Sequence, residues 1–433
     1  MSTLTFDEAG GAHNPTQIAR ALAQRGHRVL FVEPQPSAMR NTERLPLEIV
    51  ALTELGMTPV QLRRAWFGME TGELETVARA LWKHISSFPN GRCAAIFSAP
   101  FDPFVRLVPM LRAQNFLIAY YAMDDFAAAP ALGHTQFAPG AEEYLVRHAD
   151  VLCGVSAHIA NTLERFGKHA HVVPNGVDIE TFQSNKSVSR AQIERGELTL
   201  GFWGTLIDSM FDAELIAYVA QARPRWTIHL LGAPDPEPHR PSVVARLKQF
   251  TNILFHGAVP HSELPRYAAA FDVCLAPFPD NAFTRGRDPI KVYEYLAAHV
   301  PVAASYAPQL AALPYVFVAQ APDEYIGAIE QAARTRVDTR ALDEFLAQQT
   351  WDARAAQLLD ALRGISTQTQ TGEPSILPSF AQPDAQAVMR YATALEQELE
   401  QVQAWARELE KIAQAGGALE RVKRLLPNFG RRA

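Results

Sequence analysis

Short apolar runs alternate with longer amphipathic ones along most of the chain. LTF at 4–6 predicts a first strand. Residues 14–25 predict a helix with Ile18, Ala19, Leu22 and Ala23 on one face, the spacing of a helical stripe. Gly26 ends that helix, and HRVLFVE at 27–33 predicts a buried strand. CAAIFSAP at 93–100, FLIAYYAM at 116–123, DVLCGVS at 150–156 and HVVPN at 171–175 continue the series. The rhythm then restarts with LTLGFWG at 198–204, WTIHLLG at 226–232, NILFHG at 252–257, DVCLAPF at 272–278, PVAAS at 301–305 and YVFVA at 315–319. Helical stretches lie between them, PIKVYEYLAAH at 289–299 the strongest. Continuous β-branched and apolar runs separated by helices predict parallel sheets covered on both faces. The fold class is therefore α/β, with two doubly wound units joined through the polar segment 179–197.

The pattern changes after residue 363. Residues 364–386 are rich in Ser, Thr, Gln and Pro and predict a linker. Val388, Ala392, Leu395, Leu399, Val402, Ala406, Leu409 and Ala413 then follow a 4-3-4-3 spacing, the seam of a coiled coil. The expected divisions are 1–180, 195–350, a helix at 351–363 returning to the first unit, the linker 364–386, a heptad helix at 387–415 and a basic tail at 416–433.

Composition narrows the class. The chain has 433 residues, of which 20% are charged and 48% hydrophobic, which excludes a disordered or collagen-like protein. Forty basic against 46 acidic residues leave a net charge of −6 and no general reason to bind nucleic acid. Cys93, Cys153 and Cys274 each lie in an apolar run and predict buried, reduced thiols rather than a metal site. No stretch reaches bilayer-spanning length, and MSTLTFDEAGG lacks the regions of a signal peptide, so a cytoplasmic protein is expected.

Four places can carry chemistry. Gly10 and Gly11 precede a helix and form either a ligand-facing loop or a tight turn. FPDNAFTRGRDPIKVYEYLAAHVPVAAS at 278–305 runs strand, loop, helix, strand. Arg285, Arg287 and Lys291 gather there at a helix start, where the dipole disfavours cations unless an added anion is present. Asp288-Pro289 starts that helix. Glu294, three residues after Lys291, shares its face and can accept ribose hydroxyls; the alternative is a surface Lys–Glu pair. Asp124 and Asp125 end a strand, where an open α/β sheet binds its ligand, and suit a sugar hydroxyl, a metal or a proton transfer, or else a turn. Asn175-Gly176, within PNGVD, is first a turn signal.

In this order the Gly-Gly loop with ALAQRGHRVLFVE, VVPNGVD, GFWGTL and DPIKVYEYLAAHVPVAAS resemble the GT-B glycosyltransferases, in particular the retaining family 4 group. The similarity covers about residues 1–363 and is nearest in flavour to enzymes of bacterial teichuronic acid, capsule and O-antigen synthesis. It implies two Rossmann-like domains facing across a cleft, with the acceptor in the first and a nucleotide-sugar in the second. Glu294 matches the glutamate that holds the ribose hydroxyls. Lys291 and Arg287 match basic groups near the diphosphate, with Gly204 and Thr205, and Gly10 and Gly11, beside the donor phosphates. The implied catalytic set is Asp124, Arg287 and Lys291. The implied donor-binding set is Gly10, Gly11, Gly204, Thr205, Arg285, Asp288 and Glu294.

The resemblance implies hexosyl transfer by same-face attack, the leaving diphosphate helping to take the proton, with no cofactor and no required metal. Four departures stand out. Gly286 occupies the place of a first glutamate, Asp124 that of a histidine, and His299 that of a glycine. TLIDSMFDAELI lacks the usual Arg and Lys after the glycine turn, so charge neutralisation falls to Arg285, Arg287 and Lys291. The other readings are a degenerate GT-B scaffold and a nucleotide-sugar epimerase of the same fold. Expected partners are a nucleotide-sugar donor and a glycan or lipid-linked acceptor. Residues 388–413 either join two copies or pack on the chain's own body. Residues 420–433, with Arg421, Lys423, Arg424, Arg431 and Arg432, either meet the inner face of the membrane or remain solvated.

Overall fold

The structure, a computed structural model, describes the chain outside residues 3–4, 7–11, 38–44, 66–68, 89–90, 129–137, 139, 184–189, 233–241, 306, 308, 366–375 and 377–433. Met1–Phe380 form one compact unit. The heptad helix and basic tail lie outside the described residues, as does nearly all of the linker.

The first α/β part contains β1 (Val29–Glu33), β2 (Leu47–Ala51), β3 (Ala94–Phe97), β4 (Leu117–Ala122), β5 (Val151–Gly154) and β6 (Ala170–Val172), all paired in parallel. β1 pairs with β2, and β3 to β6 follow in order. The six residues of β4 are all buried, which is why its run of Leu, Ile, Ala and Tyr shows no polar alternation. The expected strand at 4–6 is not present in its described part: Thr5 is irregular and Phe6 lies in a turn. Side chains claim the Phe6 backbone, its N–H donating to Glu33 Oε2 (2.7 Å) and its carbonyl accepting from Thr16 Oγ1 (3.0 Å). The strand-like pairing falls earlier. Ser2 N–H donates to the Val32 carbonyl (2.9 Å), and Ser98 N–H to the Met1 carbonyl (3.3 Å), so Met1 and Ser2 bridge β1 and β3. β2 carries a weak pattern because among the described residues it pairs with β1 alone and interrupts LEIVA with Glu48, whose carboxylate meets His84 Nδ1 (2.7 Å).

The second part is a six-stranded parallel sheet. Its strands are β7 (Thr199–Trp203), β8 (Thr227–Leu231), β9 (Ile253–Gly257), β10 (Val273–Ala276), β11 (Val302–Ser305) and β12 (Val316–Ala319). The order is β12-β11-β10-β7-β8-β9, so the winding reverses between β7 and β10. Val273 and Leu275 of β10 enter the core on one face, Cys274 and Ala276 the core on the other, the period-two signature of a doubly covered strand. Cys153 and Cys274 are buried free thiols; Cys93 is only partly buried.

The helix Trp351–Leu362 leaves the second part and ends on the first. Thr350 caps its start by accepting from Ala353 N–H (3.1 Å). Trp351, Ala355, Leu358 and Leu362 enter the first part's core. Arg25, just past the helix Asn14–Gln24, grips Asp352 through two bonds of 2.6 and 2.8 Å. No described helix is long and apolar enough to cross a membrane.

Candidate active site at the strand reversal

Open α/β sheets bind ligands beyond the strand C-termini where the winding reverses. In the second part that place lies past β7 and β10, and Lys291 occupies it. Lys291 belongs to the helix Ile290–Ala297, which starts one residue after Pro289 rather than at Asp288-Pro289. Its Nζ lies 4.6 Å from the Phe202 ring centre and 5.9 Å from that of Phe278, at the ends of the two strands. Gly204 follows β7 with φ 140°, and a Cβ there would stand 2.1 Å from Nζ. A side chain at 204 would therefore evict the ammonium. Among the described residues Lys291 has no carboxylate partner. Burial, then the Arg287 charge, lower its pKa to about 7, with Glu294 opposing. An unpaired, half-buried cation is a receptor for an anion.

One turn on, Glu294 is buried. Its Oε2 accepts from Trp203 Nε1 (2.8 Å), and its Oε1 meets His261 Nε2 (2.7 Å). Burial alone would lower the pKa of His261, but the bond and charge of Glu294, aided by Asp178, raise it. Trp203 is held between Phe182 (6.0 Å, stacked) and Tyr295 (4.2 Å, edge-on). Each carboxylate oxygen of Glu294 keeps a further lone pair for a ligand hydroxyl.

Across the cleft, Arg287 Nε stands 3.5 Å from Asp124 Oδ1. Burial raises the Asp124 pKa, Arg287 opposes this and Asp125 adds to it. Arg285 does not join the group; it forms an exposed pair with Asp280 (2.7 and 2.9 Å). Asp288 turns to the other part of the chain. Its Oδ2 accepts from Asn175 N–H (2.6 Å) and its Oδ1 from Tyr293 OH (2.9 Å). Burial pushes its pKa up to about 6 against those two donors. Each polar atom of Asn175 has a partner: its Nδ2 donates to the Asp288 carbonyl, its Oδ1 accepts from Asn14 Nδ2 (2.7 Å), and its carbonyl accepts from Arg354 Nε (3.0 Å). Asn175-Gly176 is therefore a junction, not the expected turn. Gly176 is required because a Cβ would stand 2.7 Å from the Trp351 nitrogen.

Residues 10–181 match the model described as Glycosyltransferase Family 4, and residues 213–360 the one described as Glycosyl transferase-like. A Bacillus subtilis (strain 168) protein named as a teichuronic acid biosynthesis glycosyltransferase, TuaH, is 27% identical over 262 residues. That alignment covers 56% of this chain and 64% of the relative's length. Among solved structures, sucrose-phosphate synthase from Thermosynechococcus elongatus superposes with a TM-score of 0.58 at 18% identity, covering 81% of this chain and 92% of that one. The catalytic domain of starch synthase IV from Arabidopsis thaliana, bound to ADP and acarbose, gives 0.55 at 13% identity, covering 81% and 94%. The two parts of the chain are thus similar, each in turn, to glycosyltransferase family models, and the fold is GT-B.

The cleft gathers Lys291, Glu294, Arg287, Asp124 and Gly204. Thr205 follows, exposed. Gly10 and Gly11 lie outside the described residues. Gly286 packs against the first part: Ser156 Oγ donates to its carbonyl (2.6 Å), and a Cβ would stand 3.0 Å from His158 Cδ2 and 3.3 Å from Asp125 Cβ. His299, in place of the family's glycine, takes φ 60° and binds Asp343 Oδ1 through Nε2 (2.7 Å). Sequence reading missed His158, Trp203, His261, Asn14 and Arg354. Only Trp203, inside GFWG, stood beside a motif; the rest become neighbours through the fold.

Proposed function

We propose that the chain transfers a hexosyl group from a nucleotide-sugar to a glycan or lipid-linked acceptor in bacterial surface polysaccharide synthesis, with retention and without a required metal. The unpaired Lys291 ammonium at the strand reversal, with Glu294 one turn on, is the observation that carries this reading. Lys291 and Arg287 neutralise the diphosphate, Glu294 holds the ribose, and Asp124 keeps Arg287 on the cleft wall. In such a site the protein mainly positions the reactants and stabilises developing phosphate charge. The name of TuaH supports the surface-glycan assignment.

A thermal-shift panel of uridine, guanosine, thymidine and cytidine diphosphates, with and without chelator, tests the reading. A ligand at about 100 times its Kd adds about 2.7 kcal/mol of stability. One nucleotide should stabilise the chain with chelator present. If none does, the degenerate-scaffold reading replaces this one. In the same reading 388–413 join two copies, and 420–433 hold the enzyme on anionic lipid near a lipid-linked acceptor. A monomer in sedimentation velocity that leaves anionic liposomes in the supernatant would remove both parts.

A further inference from the structure

In the first part of the chain, β1 and β3 face each other across a gap. Met1 and Ser2 bridge one end of it in the manner of a parallel strand. The Met1 nitrogen donates to the Ile96 carbonyl (2.8 Å), Ser98 N–H to the Met1 carbonyl (3.3 Å), and Ser2 N–H to the Val32 carbonyl (2.9 Å). Past Met1 the gap continues as a cavity of about 510 Å³ between the two strands. We propose that an extended apolar segment joined to the Met1 nitrogen occupies this cavity as a central parallel strand.

The backbone on both walls supports a strand rather than any other occupant. In a parallel sheet, alternate residues of a strand bond to opposite neighbours. Val29 N–H donates to the Pro46 carbonyl (2.8 Å) and the Glu33 carbonyl accepts from Leu52 N–H (2.9 Å), so Val29, Phe31 and Glu33 serve β2. Leu30 and Val32 therefore turn their backbone toward the cavity. On the other wall the Cys93 carbonyl accepts from Leu117 N–H (2.9 Å), which leaves Ala94 and Ile96 facing β1. Among the described residues the N–H groups of Leu30, Val32 and Ile96 and the carbonyls of Leu30 and Ala94 have no partner. Opposed rows of donors and acceptors are matched by a peptide backbone and not by a lipid chain.

The walls also set the chemistry of the side chains. Leu22, Leu81, Leu111, Leu359 and Leu362, from four helices, line the cavity. Leu30 and Ile96 are only half-buried and Ala94 is exposed, whereas every residue of β4 is buried. Such a slot calls for an apolar residue at each position, β-branched ones above all. The Met1 nitrogen decides how the segment is attached. It is buried, and burial lowers its pKa to about 5, so at neutral pH it is an uncharged amine. A separate peptide would set its terminal carboxylate against it, a buried charge. A segment continuous with Met1 puts a peptide N–H there and keeps the bond to Ile96. Counting back along the ladder, about three residues ahead of Met1 satisfy all five groups. They enter beside His27, Arg28 and Arg92, at the opposite end of the strands from Asp124 and the cleft.

Full-length chains carrying Met-Lys-Val-Leu-Ile, Met-Lys-Gly-Ser-Gly or Met-Lys-Pro-Leu-Pro ahead of Met1 test this beside the unextended chain. The Val-Leu-Ile extension should raise Tm by about 5 °C or more. It should also slow amide hydrogen exchange at Leu30, Val32 and Ile96 by at least about 10²-fold. The Gly-Ser-Gly extension should do neither. Equal Tm and equal exchange for these two chains would overturn the proposal. Equal stabilisation by Pro-Leu-Pro would overturn it as well, because that segment is apolar but lacks the ladder donors. A free acetylated Val-Leu-Ile peptide or octanoate that stabilised the unextended chain as much as the fused segment would show that attachment at Met1 is not the means of occupancy, and would sink it too.

Discussion

The two halves of the cleft are built by opposite means. In the second part, Arg287, Lys291 and Glu294 fall within eight residues, on one helix and the turn before it. In the first part, Asn14, Asp124 with Asp125, His158 and Asn175 come from four separate places along the chain. A helix turns spacing into geometry, because residues three apart share a face. Strand ends become neighbours only when the sheet forms. A site carried on one helix can be read from a single sequence; a site carried on strand ends needs the fold.

Two perturbations separate the halves. The larger is Lys291→Ala, which should lower turnover by about 10²-fold, the scale for one preorganised charge donor. It also has a pH signature. The free-site pKa is about 7, and a bound anion favours the protonated form. Nucleoside-diphosphate affinity should therefore weaken as pH rises through about 7, with proton uptake on binding. Calorimetry in buffers of different ionisation enthalpy measures that uptake. If Lys291→Ala bound with the same uptake, the anion site would have to be elsewhere.

The smaller is Asp288→Asn, which acts on stability at the junction of the halves. A buried carboxyl raised from 3.8 to about 6 contributes stability that is present below its unfolded pKa and lost as pH rises through the folded one. The loss is roughly 3 kcal/mol for a shift of about two units. Urea midpoints of the wild type should fall between about pH 4 and 6 relative to those of Asp288→Asn. Parallel curves would mean that Asp288 is ionised at no unusual cost, and that the latch through Asn175 and Tyr293 stabilises its charge fully.

Particular residues show where sequence reading stops. Eleven strands were legible because each is a mainly apolar run, as in LIAYYA of β4 and VCLA of β10. β2 was not, since an edge strand tolerates a charge such as Glu48. The strand expected at 4–6 misled because Phe6 has its backbone bonded to side chains, although its apolar run looks like a strand. Within the site, Lys291 and Glu294 were read from spacing. Arg285 was counted with them because a charge in a motif does not reveal its partner, here Asp280. His158 and His261 carried no signal; a lone histidine acquires meaning only from the carboxylate the fold places beside it.

The chain passes between the two parts twice, and the crossings are side by side. Val177 N–H donates to the Gln349 carbonyl (2.9 Å), and Val177 bridges to Thr350 in parallel. Residues 178–349 thus enter and leave the first part at one point, as an insertion would. The first part is discontinuous, closed only when the helix Trp351–Leu362 returns. Cutting the chain after residue 349 would open its core, whereas replacing the whole segment between the crossings would not. The second part is in this sense a cassette, and under the proposed function its exchange is a route to a new sugar specificity on an unchanged first part.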